Sequence, residues 1–96
     1  MLATTIHGPG DIRWEEVATP YAGKPTDAVV RVIVGCVCGS DLWRYRGLAP
    51  VTVPGATIGH ECVGEIVEVG ADVRDFRVGD VVIVPFDHCD GTRVHC

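Results

Sequence analysis

The chain has 96 residues, 47% of them hydrophobic and 22% charged, which is the length and composition of one small folded domain. Its net charge of −5 argues against a nucleic-acid partner, because phosphate binding needs a basic surface. No apolar run approaches the roughly 20 residues of a membrane span, and the N-terminus lacks a basic-then-apolar leader pattern, so we expect a cytoplasmic protein with no membrane partner.

The five cysteines cannot form a complete set of disulfides within one chain, because their number is odd. In a reducing compartment such thiols are core residues, metal ligands or reactive groups. Cys36 and Cys62 lie in valine-rich segments, which predicts that both are small residues of the core.

Short valine-rich segments alternate with glycine and proline, and this pattern predicts a mainly β fold. The predicted strands are Leu2–Ile6, Ile12–Val17, Ala28–Val37, Cys62–Val69 and Val81–Val84. Between the first two strands, HGPGD is typical of a turn. The segment Ala28–Val34 is apolar on both faces except for Arg31, which predicts a central, largely buried strand.

One short helical turn is predicted over Leu42–Tyr45. Ser40 or Asp41 can cap its N-terminus, and Gly47 ends it. The following segment, Leu48–Gly59, contains two prolines and is predicted to be a long loop. Long loops in compact domains are usually functional or disordered.

The residues best suited to chemistry are Cys38, His60 and Glu61, with Ser40 and Asp41 nearby. A thiolate, an imidazole and a carboxylate together form a ligand set that suits zinc. Structural zinc sites are closed by four protein ligands, whereas catalytic sites keep one position open, and three candidate ligands fit the open kind. The alternative, from composition alone, is a His-Glu pair exposed to solvent at a turn.

Two stretches, VCGSDLWRYRG and PGATIGHECVGEIVEVGADVRDFRVGDVVIVPF, resemble the N-terminal catalytic domain of zinc-dependent medium-chain alcohol dehydrogenases. The resemblance runs from Leu2 to Pro85 and more loosely beyond. CGSD, GHE and VGD are each weak signals alone, but their combination in this order is specific. The resemblance implies that residues 1–96 form a GroES-like, partly open β-barrel with one short helical turn.

The resemblance also implies a role for each candidate residue. Cys38 and His60 would bind the catalytic zinc, and Glu61 matches an acidic neighbour that coordinates the metal in some members. Ser40 matches the hydroxyl that bonds the substrate alcohol and starts proton removal. Asp41 matches a carboxylate that orients the ligand histidine. The implied reaction is the oxidation of a small-molecule alcohol or polyol to an aldehyde or ketone with NAD or NADP.

The chain departs from the family pattern in two places. Trp43 stands where many relatives carry a proton-relay histidine, so it is either a packing residue or a wall of the substrate pocket. The family often builds a four-cysteine structural zinc lobe near the end of this region. Aligning Cys96 with its third cysteine places Arg93 and Asp90 at the first two positions, so no structural zinc is expected. The predicted exposed loop residues are His88, Cys89, His95 and Cys96.

The chain contains no G-x-G-x-x-G motif, so the Rossmann cofactor domain is absent from it. It therefore resembles part of an enzyme that would be inactive alone. One alternative is a stand-alone zinc- or ligand-binding module of the same fold, and a more remote one, by fold analogy only, is a co-chaperonin-like assembly protein. Trp43, Leu48 and Val51 are expected to be exposed and to favour weak self-association.

Overall fold

A computed structural model of the chain describes residues 1–87 and residue 89. The predicted loop residues His88, His95 and Cys96 lie outside the described residues. The described chain divides into two compact units. The first unit comprises residues 1–19 and 36–60, and the second comprises residues 20–35 and the described residues from 61 onward. Each unit carries a three-stranded sheet.

The sheet of the first unit has the strand order β2-β1-β4. Strands β1 (Leu2–Gly8) and β2 (Asp11–Glu16) form an antiparallel hairpin, and β4 (Ala56–Thr57) pairs antiparallel with the other edge of β1. Gly10 in the hairpin turn has a φ of 72°, a conformation that glycine adopts without steric cost. Strand β4 lies within the segment predicted to be a loop, so that prediction was wrong at these two residues.

Helix α1 (Asp41–Tyr45) is the predicted helical turn, and it ends as the sequence indicates. Gly47, with a φ of 74°, donates its backbone N–H to Arg44, and Leu48 donates to Trp43. These two bonds form a Schellman motif, which satisfies carbonyl groups at the helix end. At the other end Ser40, one of the two predicted capping residues, occupies the N-cap position without a side-chain capping bond.

The sheet of the second unit has the strand order β3-β5-β6. Strand β3 (Ala28–Cys36) lies at one edge, β5 (Glu61–Val69) in the centre and β6 (Val81–Val84) at the other edge, antiparallel to β5. Only the last residue of β3 belongs to the first unit. Ile66 and Gly64 of the central strand are buried, so β5 carries the core of this unit.

Strand β3 differs from its prediction as a central, buried strand. It is an edge strand, and its residues Val32, Ile33 and Val34 are all exposed. Apolar residues on both faces indicate burial only if other layers cover both faces, and the described residues do not provide them here. For the same reason Cys36 is exposed rather than a core residue, whereas Cys62 in the central strand is half-buried.

The mainly β fold is confirmed, with one short helix among the described residues. The strands form two separate sheets, and no closed barrel is present in the described part of the chain.

Cys89 is exposed, as predicted for a loop residue, and is disulfide-bonded. No helix within residues 1–87 is long and apolar enough to cross a membrane.

Candidate metal centre

Cys38 and His60 meet in the first unit although they are far apart in the chain. Cys38 lies between β3 and α1, and His60 follows β4. Each side chain offers a metal-ligand atom, and these two atoms lie within 4.8 Å of each other. Both residues are half-buried. The structure thus brings together the two residues that the sequence most strongly indicated as ligands.

Asp41 holds both of them with one carboxylate. Its Oδ2 accepts a hydrogen bond of 3.0 Å from the backbone N–H of Cys38, and its Oδ1 lies 3.2 Å from His60 Nδ1. The backbone N–H of Asp41 in turn donates to the Cys38 carbonyl at 3.1 Å, which closes a tight turn between the two residues. Asp41 therefore fixes the backbone that carries the thiol and the orientation of the imidazole ring.

The burial of Asp41 makes these contacts necessary. Its side chain is only 8% exposed, and a buried carboxylate is costly unless hydrogen bonds compensate it. A carboxylate beside one ring nitrogen of a histidine selects the tautomer and fixes the ring, as in many metal sites. With Asp41 beside Nδ1, the nitrogen suited to coordinate a metal is His60 Nε2.

A small cavity adjoins Asp41 within the same unit. Its volume is about 240 Å³, and its walls are mostly apolar. Ile12, Leu42 and Ile58 are among the lining residues.

Three further residues that the sequence singled out are Ser40, Glu61 and Trp43. Ser40 is exposed, immediately before the first residue of α1. Glu61 directly follows His60 in the chain, begins strand β5 and is half-buried. Trp43 is 59% exposed on α1, so it is not the core packing residue that one reading of the sequence suggested.

Sequence reasoning missed a second polar cluster in the first unit, formed by Thr5, His7 and Glu15. Glu15 Oε1 accepts a hydrogen bond of 2.5 Å from the Thr5 hydroxyl and lies 2.5 Å from His7 Nε2. These two hydrogen bonds hold the pKa of Glu15 below its ordinary value, and the bond from Thr5 has the larger effect. Thr5 and His7 alternate on the observed strand β1 and so share a face, but the predicted strand ends at Ile6 and leaves His7 in the turn.

The chain matches a known protein family and several known proteins. Residues 24–96 match the family described as Alcohol dehydrogenase GroES-like domain. The whole chain aligns with Zinc-type alcohol dehydrogenase B of Aspergillus flavus at 38% sequence identity. The aligned region is 22% of that protein's length. A sorbitol dehydrogenase of Halalkalibacterium halodurans aligns with 84% of the chain at 44% sequence identity. The aligned region is 23% of that protein's length.

A solved structure gives the same result for the fold. Alcohol dehydrogenase TADH from Thermus sp. ATN1 is similar to the whole chain with a TM-score of 0.92 and 40% identity. The chain covers 28% of that protein, so it spans less than a third of the length of each of these three relatives. The GroES-like fold expected from the sequence is confirmed.

Proposed function

Because this chain belongs to the alcohol dehydrogenase GroES-like domain family, we propose that it is the metal- and substrate-binding part of a zinc-dependent alcohol dehydrogenase. The observation that carries the proposal is the meeting of Cys38 and His60 beside one buried carboxylate, Asp41. The alternative interpretation is a His-Glu pair exposed to solvent at a turn. It does not explain why the buried carboxylate of Asp41 contacts both Cys38 and His60.

The donor set fits zinc. Two ligands at zinc distances of about 2.3 Å for sulfur and 2.1 Å for nitrogen, in a tetrahedral arrangement, lie roughly 3.6 Å apart. The ligand atoms of Cys38 and His60 lie within 4.8 Å of each other, a limit that includes that spacing. A thiolate with an imidazole favours zinc over the hard cations magnesium and calcium, which prefer oxygen ligands.

We assign the following roles to the residues of the proposed site. Cys38 and His60 hold the metal, Asp41 orients them, and Glu61 is proposed as a third ligand from its place next to His60. When bound, zinc supplies Lewis-acid chemistry that lowers the pKa of a coordinated hydroxyl group. The exposed Ser40 hydroxyl accepts a hydrogen bond from the substrate alcohol and passes the proton to solvent, since Trp43 occupies the position of the relay histidine.

The substrate class we propose is a small alcohol or polyol, oxidised to an aldehyde or ketone with NAD or NADP. Support comes from the relatives, which are described as zinc-type alcohol and sorbitol dehydrogenases. These 96 residues contain no dinucleotide-binding motif. Hydride transfer requires a cofactor held against the substrate, so the chain alone is expected to be inactive.

Cobalt substitution of the purified chain tests the metal centre. Cobalt(II) replaces zinc in Cys/His sites and gives a thiolate-to-metal absorption band, and zinc competition then measures affinity. We expect this band in the wild-type chain and its loss in Cys38→Ser. We expect Asp41→Asn to weaken zinc binding by about 10- to 100-fold, the usual cost of losing a partner that orients a metal ligand. The same samples, given an alcohol with NAD or NADP, should produce no reduced nicotinamide.

Cys62→Ser is the matched control, because Cys62 is a half-buried thiol that is not proposed as a ligand. It should leave the cobalt spectrum unchanged. A wild-type chain without a thiolate band, or a Cys38→Ser variant that keeps it, would contradict the proposed metal centre. If the isolated chain oxidised an alcohol in a zinc-dependent reaction, the proposal that it is inactive alone would be contradicted.

A further inference from the structure

The Thr5, His7 and Glu15 cluster lies on the hairpin of the first unit. Thr5 and His7 are alternate residues of β1, and Glu15 reaches them from β2. Thr5 is completely buried, and its hydroxyl is satisfied by the Glu15 carboxylate. One carboxylate oxygen thus takes both contacts, which holds the His7 ring in a single orientation.

The held ring forms a contact surface for the chain segment that leads to β4. A Cβ atom added to Gly55 would lie 3.4 Å from His7 Cε1, so the backbone there packs directly against the imidazole. Gly55 has a φ of 83°, and its backbone N–H donates to the Ile6 carbonyl at 2.8 Å. The residue type, the backbone conformation and this hydrogen bond all fit the close approach to His7.

From Gly55 the chain runs along β1 toward His60. Ala56 and Thr57 pair with Ile6 and Thr5, and the backbone N–H of Ile58 then donates to the Thr4 carbonyl at 3.0 Å. His60 follows two residues later. The position of this segment along β1 therefore decides where the imidazole of His60 lies.

We propose that Thr5, His7 and Glu15 form a positioning cluster for His60. The cluster fixes the His7 ring against Gly55, the ring fixes the alignment of β4 on β1, and β4 delivers His60 to Asp41 and Cys38. His7 is a positioning residue, because it acts through the backbone and not through contact with the metal. The inference rests on the proposed function for its effect on metal binding, but its effect on His60 is independent of any metal.

Substitution of His7 tests the cluster with two readouts. His7→Ala removes the ring, and His7→Gln keeps a side-chain N–H that can donate to Glu15. In the metal-free chain, NMR of the His60 ring and hydrogen exchange of the Ile58 amide report the position of the segment. We expect His7→Ala to shift the His60 resonances and speed exchange at Ile58, with His7→Gln restoring both. Zinc affinity should fall by about 2- to 30-fold, the scale of coupling through packed side chains.

Asp11→Asn is the control, because it breaks the neighbouring Asp11–Arg13 ion pair on the same hairpin without touching β4. It should change neither readout. If His7→Ala does not fold, Glu15→Gln weakens the same cluster and the same readouts apply. Unchanged His60 resonances in a folded variant would overturn the positioning of His60, and shifted resonances with unchanged zinc affinity would overturn its effect on metal binding. A wild-type chain that binds no metal would contradict the proposed function, while the His60 resonances would still decide the positioning role.

Discussion

At the residue scale, the first unit depends on two carboxylates that each serve two partners. Asp41 contacts the Cys38 backbone and the His60 ring, and Glu15 contacts Thr5 and His7. In both cases the acidic side chain contacts two residues outside its own element. Removing such a carboxylate removes two contacts, so its effect exceeds the loss of one hydrogen bond.

The lowered pKa of Glu15 predicts a dependence of stability on pH. The folded-state pKa lies below the ordinary value of 4.5, so the carboxylate stabilises the fold above that pH. This stabilisation is lost as the pH falls through the folded-state pKa. We therefore expect the difference in unfolding free energy between the wild type and Glu15→Gln to be largest near neutral pH and to shrink below about 4.5.

Urea unfolding at several pH values measures that difference. Glu16→Gln is the control, because Glu16 is the exposed neighbour on the same strand. Its difference from the wild type should be small at every pH. A wild-type advantage over Glu15→Gln that persists unchanged at low pH would show that the ionised form of Glu15 is not the stabilising one.

At the element scale, the central strand β5 depends on a glycine for its close contact with β3. A Cβ atom on Gly64 would lie 2.7 Å from the Arg31 carbonyl oxygen and closer still to the Val30 side chain. Such an overlap forces the backbone to shift. We expect Gly64→Ala to lower the free energy of unfolding by about 1–3 kcal/mol, the usual cost of overpacking.

Denaturant unfolding of Gly64→Ala, compared with Gly8→Ala, checks this expectation. A Cβ atom on Gly8 has no neighbour within 4 Å and Gly8 does not have a positive φ. The control should therefore change stability by less than about 0.5 kcal/mol. Equal effects of the two substitutions would show that the contact between β5 and β3 tolerates an added methyl group.

The elements that the sequence predicted best are those with a local signal. The hairpin turn at Gly10, the helix end at Gly47 and strand β6 are where the pattern placed them. Strand β4 was missed because two residues shortly after Pro54 carry no periodicity, and its pairing with β1 comes from tertiary contact. The exposure of β3 was missed because an apolar pattern shows what a strand can bury, not which elements are present to cover it.

The candidate site divides in the same way. Resemblance to a known family suggested Cys38, His60 and Asp41, and the first unit brings these three together. The roles of these three residues, like those of Ser40 and Glu61, stay predictions. The Thr5, His7 and Glu15 cluster was not predicted, because the two strands that bring Glu15 to Thr5 and His7 are adjacent only after the hairpin has formed.

At the scale of the whole molecule, few apolar side chains are fully covered. Ile6 and Ile66 are the only buried hydrophobic residues among those described, while Leu48 and Ile83 are 75% and 77% exposed. Val81 and Ile83 lie on β6, an edge strand of its sheet. Exposed apolar residues on an edge strand favour pairing with another chain, so we propose weak self-association.

Sedimentation velocity over a range of concentrations measures this self-association. The double variant Val81→Thr and Ile83→Thr keeps β-branched side chains and removes apolar surface, so it should be closer to a monomer than the wild type. His7→Gln, a substitution in the other unit, should not change the distribution. A wild type that remains monomeric at high concentration would contradict the proposal and favour a stand-alone module.

The shared carboxylate of Asp41 also bears on the order in which the centre assembles during folding. Asp41 is close to Cys38 in sequence, so their contact closes a short loop and needs little loss of chain entropy. His60 is separated from Asp41 by the helix end, a long connection and β4, and the entropy lost on closing a loop grows with its length. The thiol half of the centre can therefore form with the first helical turn, whereas the imidazole half must wait until β4 has paired with β1.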